Sequence, residues 1–140
     1  MKIFIVVKVP RGNVERRQIA ERIAALTRQA GHHPFVAYQE IVKQGLSEPA
    51  AFMPFARQHV RSSGLLIVVY HPELRGGLIE MGIAYAEGIP IWLLHKAGEN
   101  ISSSALGCAD LVVEYQDLDD LSNLLLEAVN KRISKPTNYF

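Results

Sequence analysis

The stretch "GLLIVVYHPELRGGLIEMGIAYAEGIPIWLL", Gly64–Leu94, decides the fold of this chain. Its first part, Gly64–Tyr70, is the strongest run of β-branched and other apolar residues in the sequence, and it predicts a buried strand. The turn "HPEL" follows, and Arg75–Glu87 has the apolar content of a helix. Ile89–Leu94 then predicts a second buried strand. A strand, a helix and a strand in this order predict a right-handed βαβ unit with parallel strands.

The same alternation continues towards both ends of the 140-residue chain. Upstream, Lys2–Val7 and "HPFVAY" predict two strands, and between them lies a helix that Asn13 caps and Gly31 ends. A further helix contains Pro54, which must start, kink or break it. Downstream, "ISSSALGC" predicts a loop or a short turn, "ADLVVEY" a fifth strand, and "DLDDLSNLLLEAVNKRI" a closing amphipathic helix. We expect the last residues, "SKPTNYF", to be loose.

Five strands alternating with helices predict an α/β protein, a flavodoxin-like three-layer αβα sandwich formed by residues 1–140 as a single domain. The expected sheet is parallel, with the strand order 2-1-3-4-5. Ligands of such sheets bind beyond the carboxyl ends of the strands, at the switch point between strands 1 and 3. The loops "KVPRGN" and "YHPELRGG" follow these two strands. We therefore expect Arg11, His71 and Glu80 to lie near one another at this edge.

The composition of the chain limits the classes of function. The net charge of +1 argues against a dedicated nucleic-acid binder, which usually has a large excess of basic residues. The single cysteine, Cys108, cannot form an internal disulfide, which favours a reducing, cytoplasmic location. The apolar run after Met1 is too short to span a membrane, and no signal-peptide cleavage site follows it. No zinc-ligand spacing and no Gly-rich nucleotide fingerprint is present, so we expect neither a metal nor a cofactor.

Glu80 is an acid among apolar residues, just after the glycine pair Gly76 and Gly77. One interpretation is structural, because an acid in the first turn of a helix is stabilised by the helix dipole and by free backbone N–H groups. The other is functional. The helix is apolar nearly all round, which predicts burial, and a buried carboxylate is costly unless it has a partner or a task. The two glycines would let a ligand approach both the backbone and the carboxylate.

Two further groups are candidates for the same edge. The pair Arg11 and Gly12 could bind a phosphate through the guanidinium and backbone N–H groups, with help from Lys8, or could form a solvated turn. His71 ends strand 3, where a general base could stand, but before Pro72 it could equally be part of the turn.

The segment "RGGLIEMGIAYAEGIPIWLL" resembles the signature of the nucleoside 2-deoxyribosyltransferase family, and most of all that of the small 2'-deoxynucleoside 5'-monophosphate N-glycosidases. In this resemblance Glu80 falls on the nucleophilic glutamate of the family. The segment "PRGNVERR" resembles its Arg-Gly phosphate loop. Ser102, in "ISSSALGCADLVVEY", falls on the serine that reaches the phosphate of a neighbouring subunit.

The resemblance implies an N-glycosidase or deoxyribosyltransferase that cleaves the N-glycosidic bond of a (deoxy)nucleoside or its 5'-monophosphate through Glu80. It also implies a homodimer without a cofactor, whose partner is a small nucleoside or nucleotide. Leu74 and Leu78 stand where the family has a serine and a glycine. These departures favour the alternative, a catalytically weakened nucleotide-binding protein of the same fold. A third possibility is a structural or partner-binding domain in which Glu80 only begins a helix.

Overall fold

The five strands of this protein form one sheet, which a computed structural model describes together with six helices over residues 1–133. The expected loose tail, residues 134–140, lies outside the described part of the chain. The strands are β1 (Lys2–Val6), β2 (His33–Val36), β3 (Leu65–Val69), β4 (Ile91–Lys96) and β5 (Leu111–Tyr115). The helices are α1 (Val14–Gln29), α2 (Ala37–Lys43), α3 (Pro49–Arg61), α4 (Gly76–Ala86), α5 (Ser103–Cys108) and α6 (Leu118–Arg132).

The strand order is β2-β1-β3-β4-β5 and every pair is parallel, which confirms the predicted flavodoxin-like sheet. The side chains of β1 alternate between two hydrophobic cores. Ile3 and Ile5 face α1 and α6, whereas Phe4 and Val6 face the layer of α3, α4 and α5. Because both faces are covered, all five residues of β3 are buried. The sheet is therefore the middle layer of a three-layer sandwich.

The predicted ends of α1 are confirmed by its capping contacts. The side chain of Asn13 accepts a hydrogen bond from the Arg16 backbone N–H, with a distance of 3.0 Å between the two heavy atoms. Gly31, just past the helix, adopts a φ of +88°, a left-handed conformation that glycine adopts without strain. The cap places the start of α1 directly beside the carboxyl end of β1.

Two short helices differ from the prediction. The segment "HPFVAY" is a strand only as far as Val36, and α2 begins at Ala37. The segment "ISSSALGC" contains the six-residue helix α5 instead of a loop or short turn. Both helices are short enough for local capping and packing to decide their conformation, which apolar periodicity does not record. Pro54 lies inside α3, while Pro49 takes the first helical position.

The prediction for α4 was wrong in two details. The helix begins at Gly76, so Glu80 is its fifth residue and does not lie in the first turn. The helix is also not buried all round, because Ile79 is 56% and Tyr85 61% exposed. Among the described helices, none has the length and apolarity that a membrane crossing requires.

Candidate active site

A cleft of about 250 Å³ lies at the carboxyl edge of the sheet, between the end of β1, α2 and the start of α4. Glu80 and Gly77 lie on the α4 side of the cleft, and Tyr38 and Ile41 on the α2 side. Lys8, from the loop after β1, also lines the cleft. This is the place where parallel α/β sheets bind ligands. Larger surface depressions lie elsewhere, but they lack a buried ionisable group.

Glu80 is the distinctive group of this cleft. Glu80 is only 8% exposed, and its Oε2 atom is buried without a hydrogen-bond partner among the described residues. Burial raises the pKa of Glu80 to about 7, and no neighbouring charge contributes to the shift. Because Glu80 lies beyond the first turn, the free N–H groups of the helix start do not stabilise its charge. The structural interpretation of this acid is therefore weakened, since a buried carboxylate without a partner costs stability.

The two glycines before Glu80 have different roles. A Cβ atom on Gly77 would overlap Val6 Cγ1 and lie 2.8 Å from Leu74 Cδ1, so packing of α4 on β1 requires a glycine at this position. A Cβ atom on Gly76 would meet nothing within 4 Å, although Gly76 lines the cleft. Of the pair, Gly76 is the one that leaves room beside the carboxylate.

Two cationic side chains border the cleft. The Lys8 ammonium donates a hydrogen bond to the Glu73 carbonyl oxygen, at 3.3 Å. Arg75 directly precedes α4, is exposed, and makes no side-chain hydrogen bond that caps the helix. Lys8 was predicted from the sequence but Arg75 was not, because the resemblance implies a phosphate site at the Arg-Gly pair after β1. Both cations lie beside the N-terminal end of α4, where the helix dipole also favours an anion.

Arg11 and Gly12 form a turn and do not line the cleft. The Asn13 backbone N–H donates to the Pro10 carbonyl oxygen at 2.9 Å, and Gly12 has a φ of +80°. The glycine is therefore explained by the left-handed conformation of the turn. Arg11 is exposed. Its predicted contact with a phosphate stays a prediction.

His71 is buried in a separate polar cluster and does not line the cleft of Glu80. Its Nδ1 atom lies 3.7 Å from Glu99 Oε1, and neither ring nitrogen has a hydrogen-bond partner among residues 1–133. Burial, and then the nearby Arg16 guanidinium, lower the pKa of His71 to about 4. Burial also raises the pKa of Glu99. His71 is thus neutral at pH 7, and its contact with Glu99 is not an ion pair.

Arg16 connects this cluster to the cleft. Its guanidinium lies 2.5 Å from Glu73 Oε1 and donates to the Lys8 carbonyl oxygen at 3.4 Å. One side chain of α1 therefore holds the loop after β1 and the turn before α4, which are two walls of the cleft. The contact with Glu73 was not predicted, because Arg16 and Glu73 are 57 residues apart along the chain and no local pattern marks the pair.

Ser102 is the N-terminal cap of α5 and lies outside the cleft lining. Its hydroxyl accepts a hydrogen bond from the Ala105 N–H at 3.2 Å, and its own N–H donates to the Tyr70 hydroxyl at 3.3 Å. The cap accounts for a serine at this position within one chain. Its predicted contact with a neighbouring subunit stays a prediction.

The α2 side of the cleft, including Tyr38 and Ile41, was not predicted from the sequence. A signal was present, because Ala37 and Ile41 are spaced as on one face of a helix and Gly45, with a φ of +70°, ends the turn after it. Of the eight predicted site residues, the cleft brings together Lys8, Gly76, Gly77 and Glu80. The part of the chain that the structure describes holds no group of three or more side chains suited to bind a metal.

A scan against protein-family models gives no match, and a search of curated proteins gives none either. Solved structures do match. The CMP N-glycosidase of Clostridium botulinum is 15% identical, with a TM-score of 0.67 over 89% of this chain and 98% of its own. The 2-deoxyribosyltransferase of Bacillus psychrosaccharolyticus is 20% identical, with a TM-score of 0.67 over 88% of this chain and 91% of its own. BlsM is 17% identical, with a TM-score of 0.65 over 99% of this chain and 97% of its own.

These comparisons show that the chain has the fold of an N-glycosidase and of a deoxyribosyltransferase. The fold that the sequence resemblance implied is thereby confirmed. At identities of 15–20%, the likeness concerns the backbone architecture and assigns no role to any side chain.

Proposed function

We propose that this protein cleaves the N-glycosidic bond of a nucleoside or its 5'-monophosphate, with Glu80 as the nucleophile. The observation that carries the proposal is a buried carboxylate without a partner, facing a cleft at the ligand-binding edge of the sheet. Two structural neighbours named for reactions at this bond, a CMP N-glycosidase and a 2-deoxyribosyltransferase, support it.

The proposed chemistry has two steps. A Glu80 oxygen attacks the anomeric carbon while the carbon–nitrogen bond breaks, so that the electron pair leaves with the base and the base nitrogen takes up a proton. Water, or the nitrogen of another base, then attacks the same carbon and releases Glu80 from the ester. The positive charge that develops on the sugar is stabilised by the anionic carboxylate. In the free protein, burial disfavours this anion and no neighbouring cation compensates for it. The positive charge on the sugar would therefore be the first charged partner of the carboxylate.

The cations of the cleft favour an anionic substrate within this class. We propose that Lys8 and Arg75, at the N-terminal end of α4, hold the 5'-phosphate, where Arg11 and Gly12 were expected to do so. Arg75→Ala should then reduce kcat/KM for a 5'-monophosphate at least tenfold and change that for the nucleoside little. Arg11→Ala is the matched comparison. A selective loss in Arg11→Ala with none in Arg75→Ala would return the phosphate to the loop after β1.

The deciding experiment is an incubation of the protein with a panel of nucleosides and 5'-monophosphates, in which chromatography detects the free base. Release by the wild type and none by Glu80→Ala supports the proposal. If nucleotides bind tightly and no base is released, the chain is a nucleotide-binding protein of the same fold. That outcome would agree with the replacement of the family's serine by Leu74, which is buried in this chain.

A further inference from the structure

Arg16, near the start of α1, closes a ring of three contacts beside the cleft. Its Nη1 atom lies 2.5 Å from Glu73 Oε1 and donates a hydrogen bond to the Lys8 carbonyl oxygen at 3.4 Å. The Lys8 ammonium in turn donates to the Glu73 carbonyl oxygen at 3.3 Å. The ring therefore joins three segments of the chain, which are α1, the loop after β1 and the turn before α4.

The position of Lys8 depends on this ring at two points. Arg16 holds the backbone of Lys8 directly, and it also holds Glu73, whose carbonyl oxygen accepts from the Lys8 ammonium. An ammonium group has three N–H donors, and the contact with Glu73 uses one of them. The flexible stem of a lysine loses conformational freedom when it binds a ligand, and contacts that restrict the stem beforehand reduce this cost.

Arg16 is placed to act through Lys8 and not on a ligand directly. It does not line the cleft, and its side chain is only 16% exposed. Its backbone is fixed by the cap of α1, because its N–H donates to Asn13 Oδ1 at 3.0 Å. The hydrogen bond from Arg16 lowers the pKa of the Glu73 carboxyl, so the pair is ionised at neutral pH. A rigid helix end thus holds two loops through one guanidinium.

We propose that Arg16 is a positioning residue, which sets the place of the Lys8 ammonium for the 5'-phosphate of the substrate. This inference rests on the proposed function, in which Lys8 and Arg75 hold the phosphate. Removal of the Arg16 guanidinium should therefore weaken the binding of a nucleotide and leave the binding of its nucleoside unchanged. An arginine that only stabilises the fold would affect both ligands alike or neither of them.

Calorimetric titrations with CMP, dCMP, AMP and dAMP, each beside its nucleoside, test this role. All titrations use the Glu80→Gln background, which does not turn the ligands over under the proposed mechanism. Arg16→Met removes the guanidinium and keeps the alkyl stem, and it should raise the dissociation constants of the nucleotides about five- to tenfold. Those of the nucleosides should stay the same within error. Arg17→Met, at the adjacent exposed arginine, is the matched control and should change neither.

A double-mutant cycle shows whether Arg16 acts through Lys8. Lys8→Met alone should also weaken nucleotide binding, and Arg16→Met added to Lys8→Met should have no further effect. Additive losses would overturn the proposal, because Arg16 would then act independently of Lys8. An equal loss for nucleotides and nucleosides in Arg16→Met would overturn it as well.

Glu73→Gln tests the same ring in case Arg16→Met does not fold. The Glu73 side chain is 45% exposed and does not line the cleft, and the substitution removes the ion pair while it keeps the carbonyl oxygen that Lys8 binds. It should give a selective loss of about threefold for the nucleotides. Unchanged nucleotide binding in Glu73→Gln would contradict a positioning role for the ring.

Binding and base release are separate readouts, so the two proposals can fail separately. If the wild type releases no base but nucleotides bind, the proposed reaction is wrong, and the binding cycle still decides the role of Arg16. If the wild type releases base and Arg16→Met shows no selective loss, only the role of Arg16 is wrong. Glu80→Gln protein that binds none of the four nucleotides would overturn the role of Arg16 together with the phosphate site.

Discussion

Glu80 shows how one residue can oppose stability and serve a proposed function at the same time. The fold gives its carboxylate neither a cation nor a hydrogen bond to Oε2, and burial raises its pKa to about 7. In the unfolded chain the same group has a pKa near 4.5. The carboxylate therefore costs the folded state nothing below pH 4.5. Stability is lost as the pH rises from 4.5 to about 7, and the loss is then constant.

Glu80→Gln should consequently stabilise the protein at pH 8 while abolishing base release. We expect a gain of about 1–3 kcal/mol in the free energy of unfolding, which disappears at pH 4.5. Loss of a nucleophile should reduce the rate by several orders of magnitude. Urea unfolding at the two pH values and a chromatographic assay measure the two effects. Glu21→Gln, an exposed change on α1, is the control and should alter neither quantity. A destabilised Glu80→Gln at pH 8 would mean that the carboxylate has a structural partner.

The pKa of Glu80 also predicts the pH dependence of the proposed reaction. Only the ionised carboxylate can attack, so kcat/KM should rise about tenfold per pH unit below pH 7 and level off above it. A nucleoside without a phosphate is the appropriate substrate, because the phosphate itself titrates near pH 6. Initial rates between pH 5 and 9 give the profile. A profile that is flat from pH 5.5 to 8 would contradict Glu80 as the nucleophile.

At the scale of the element, α4 links packing and chemistry through its first two residues. Gly77→Ala should destabilise the protein by about 1–3 kcal/mol, because the new methyl group would overlap Val6 and crowd Leu74. Gly76→Ala should leave stability unchanged or raise it by up to about 1 kcal/mol, because alanine favours the helix and nothing lies within 4 Å.

The same pair of variants separates the two roles in an activity assay. Gly76→Ala should reduce kcat/KM at least tenfold, because its methyl group would narrow the cleft that Gly76 lines. Urea unfolding and base-release rates, measured on both variants, provide the comparison. Full activity in a stable Gly76→Ala variant would show that the substrate does not approach the start of α4.

The elements also show what could be predicted from the sequence and what could not. Apolar runs such as Leu65–Val69 identify buried parallel strands, and their alternation with helices predicts a parallel sheet, for which the flavodoxin-like order was then expected. Helices as short as α2 remained unrecognised, because tertiary packing decides their conformation. The missed α2 contributes Tyr38 to the cleft, so one wall of the candidate site was absent from the prediction.

Only those residues of the candidate site that belong to a local sequence pattern could be predicted. Glu80 and Gly76 follow one strand at short distance, and the topology alone places them at the ligand-binding edge. The contact of Arg16 with Glu73 joins α1 to the turn before α4, and nothing local in the sequence marks it. The direction in which His71 points depends on the strand alternation after β3, which turns it towards Arg16 and away from the cleft.

At the scale of the whole molecule, His71 and Glu80 give the stability two opposing dependences on pH. Burial lowers the pKa of His71 from 6.5 to about 4, and Arg16 adds to the shift. His71 therefore binds a proton more readily in the unfolded chain than in the folded protein. The resulting stability is complete above pH 6.5 and is lost as the pH falls towards 4. Glu80 acts in the opposite direction between pH 4.5 and 7. Over pH 4.5–6.5 the two contributions should nearly cancel.

Single variants should expose each contribution. Across pH 4.5–6.5, the free energy of unfolding of Glu80→Gln should rise relative to the wild type by about 1–2 kcal/mol, and that of His71→Gln should fall by a similar amount. Urea unfolding at pH 4.5, 5.5 and 6.5 gives these slopes, which remain interpretable even if a variant is less stable at every pH. His33→Gln, which removes an exposed histidine, is the control for the loss of a histidine outside this cluster. A His71→Gln curve that runs parallel to the wild type would contradict a lowered His71 pKa and would mean that the polar cluster of His71, Glu99, Arg16 and Glu73 admits a charged imidazole.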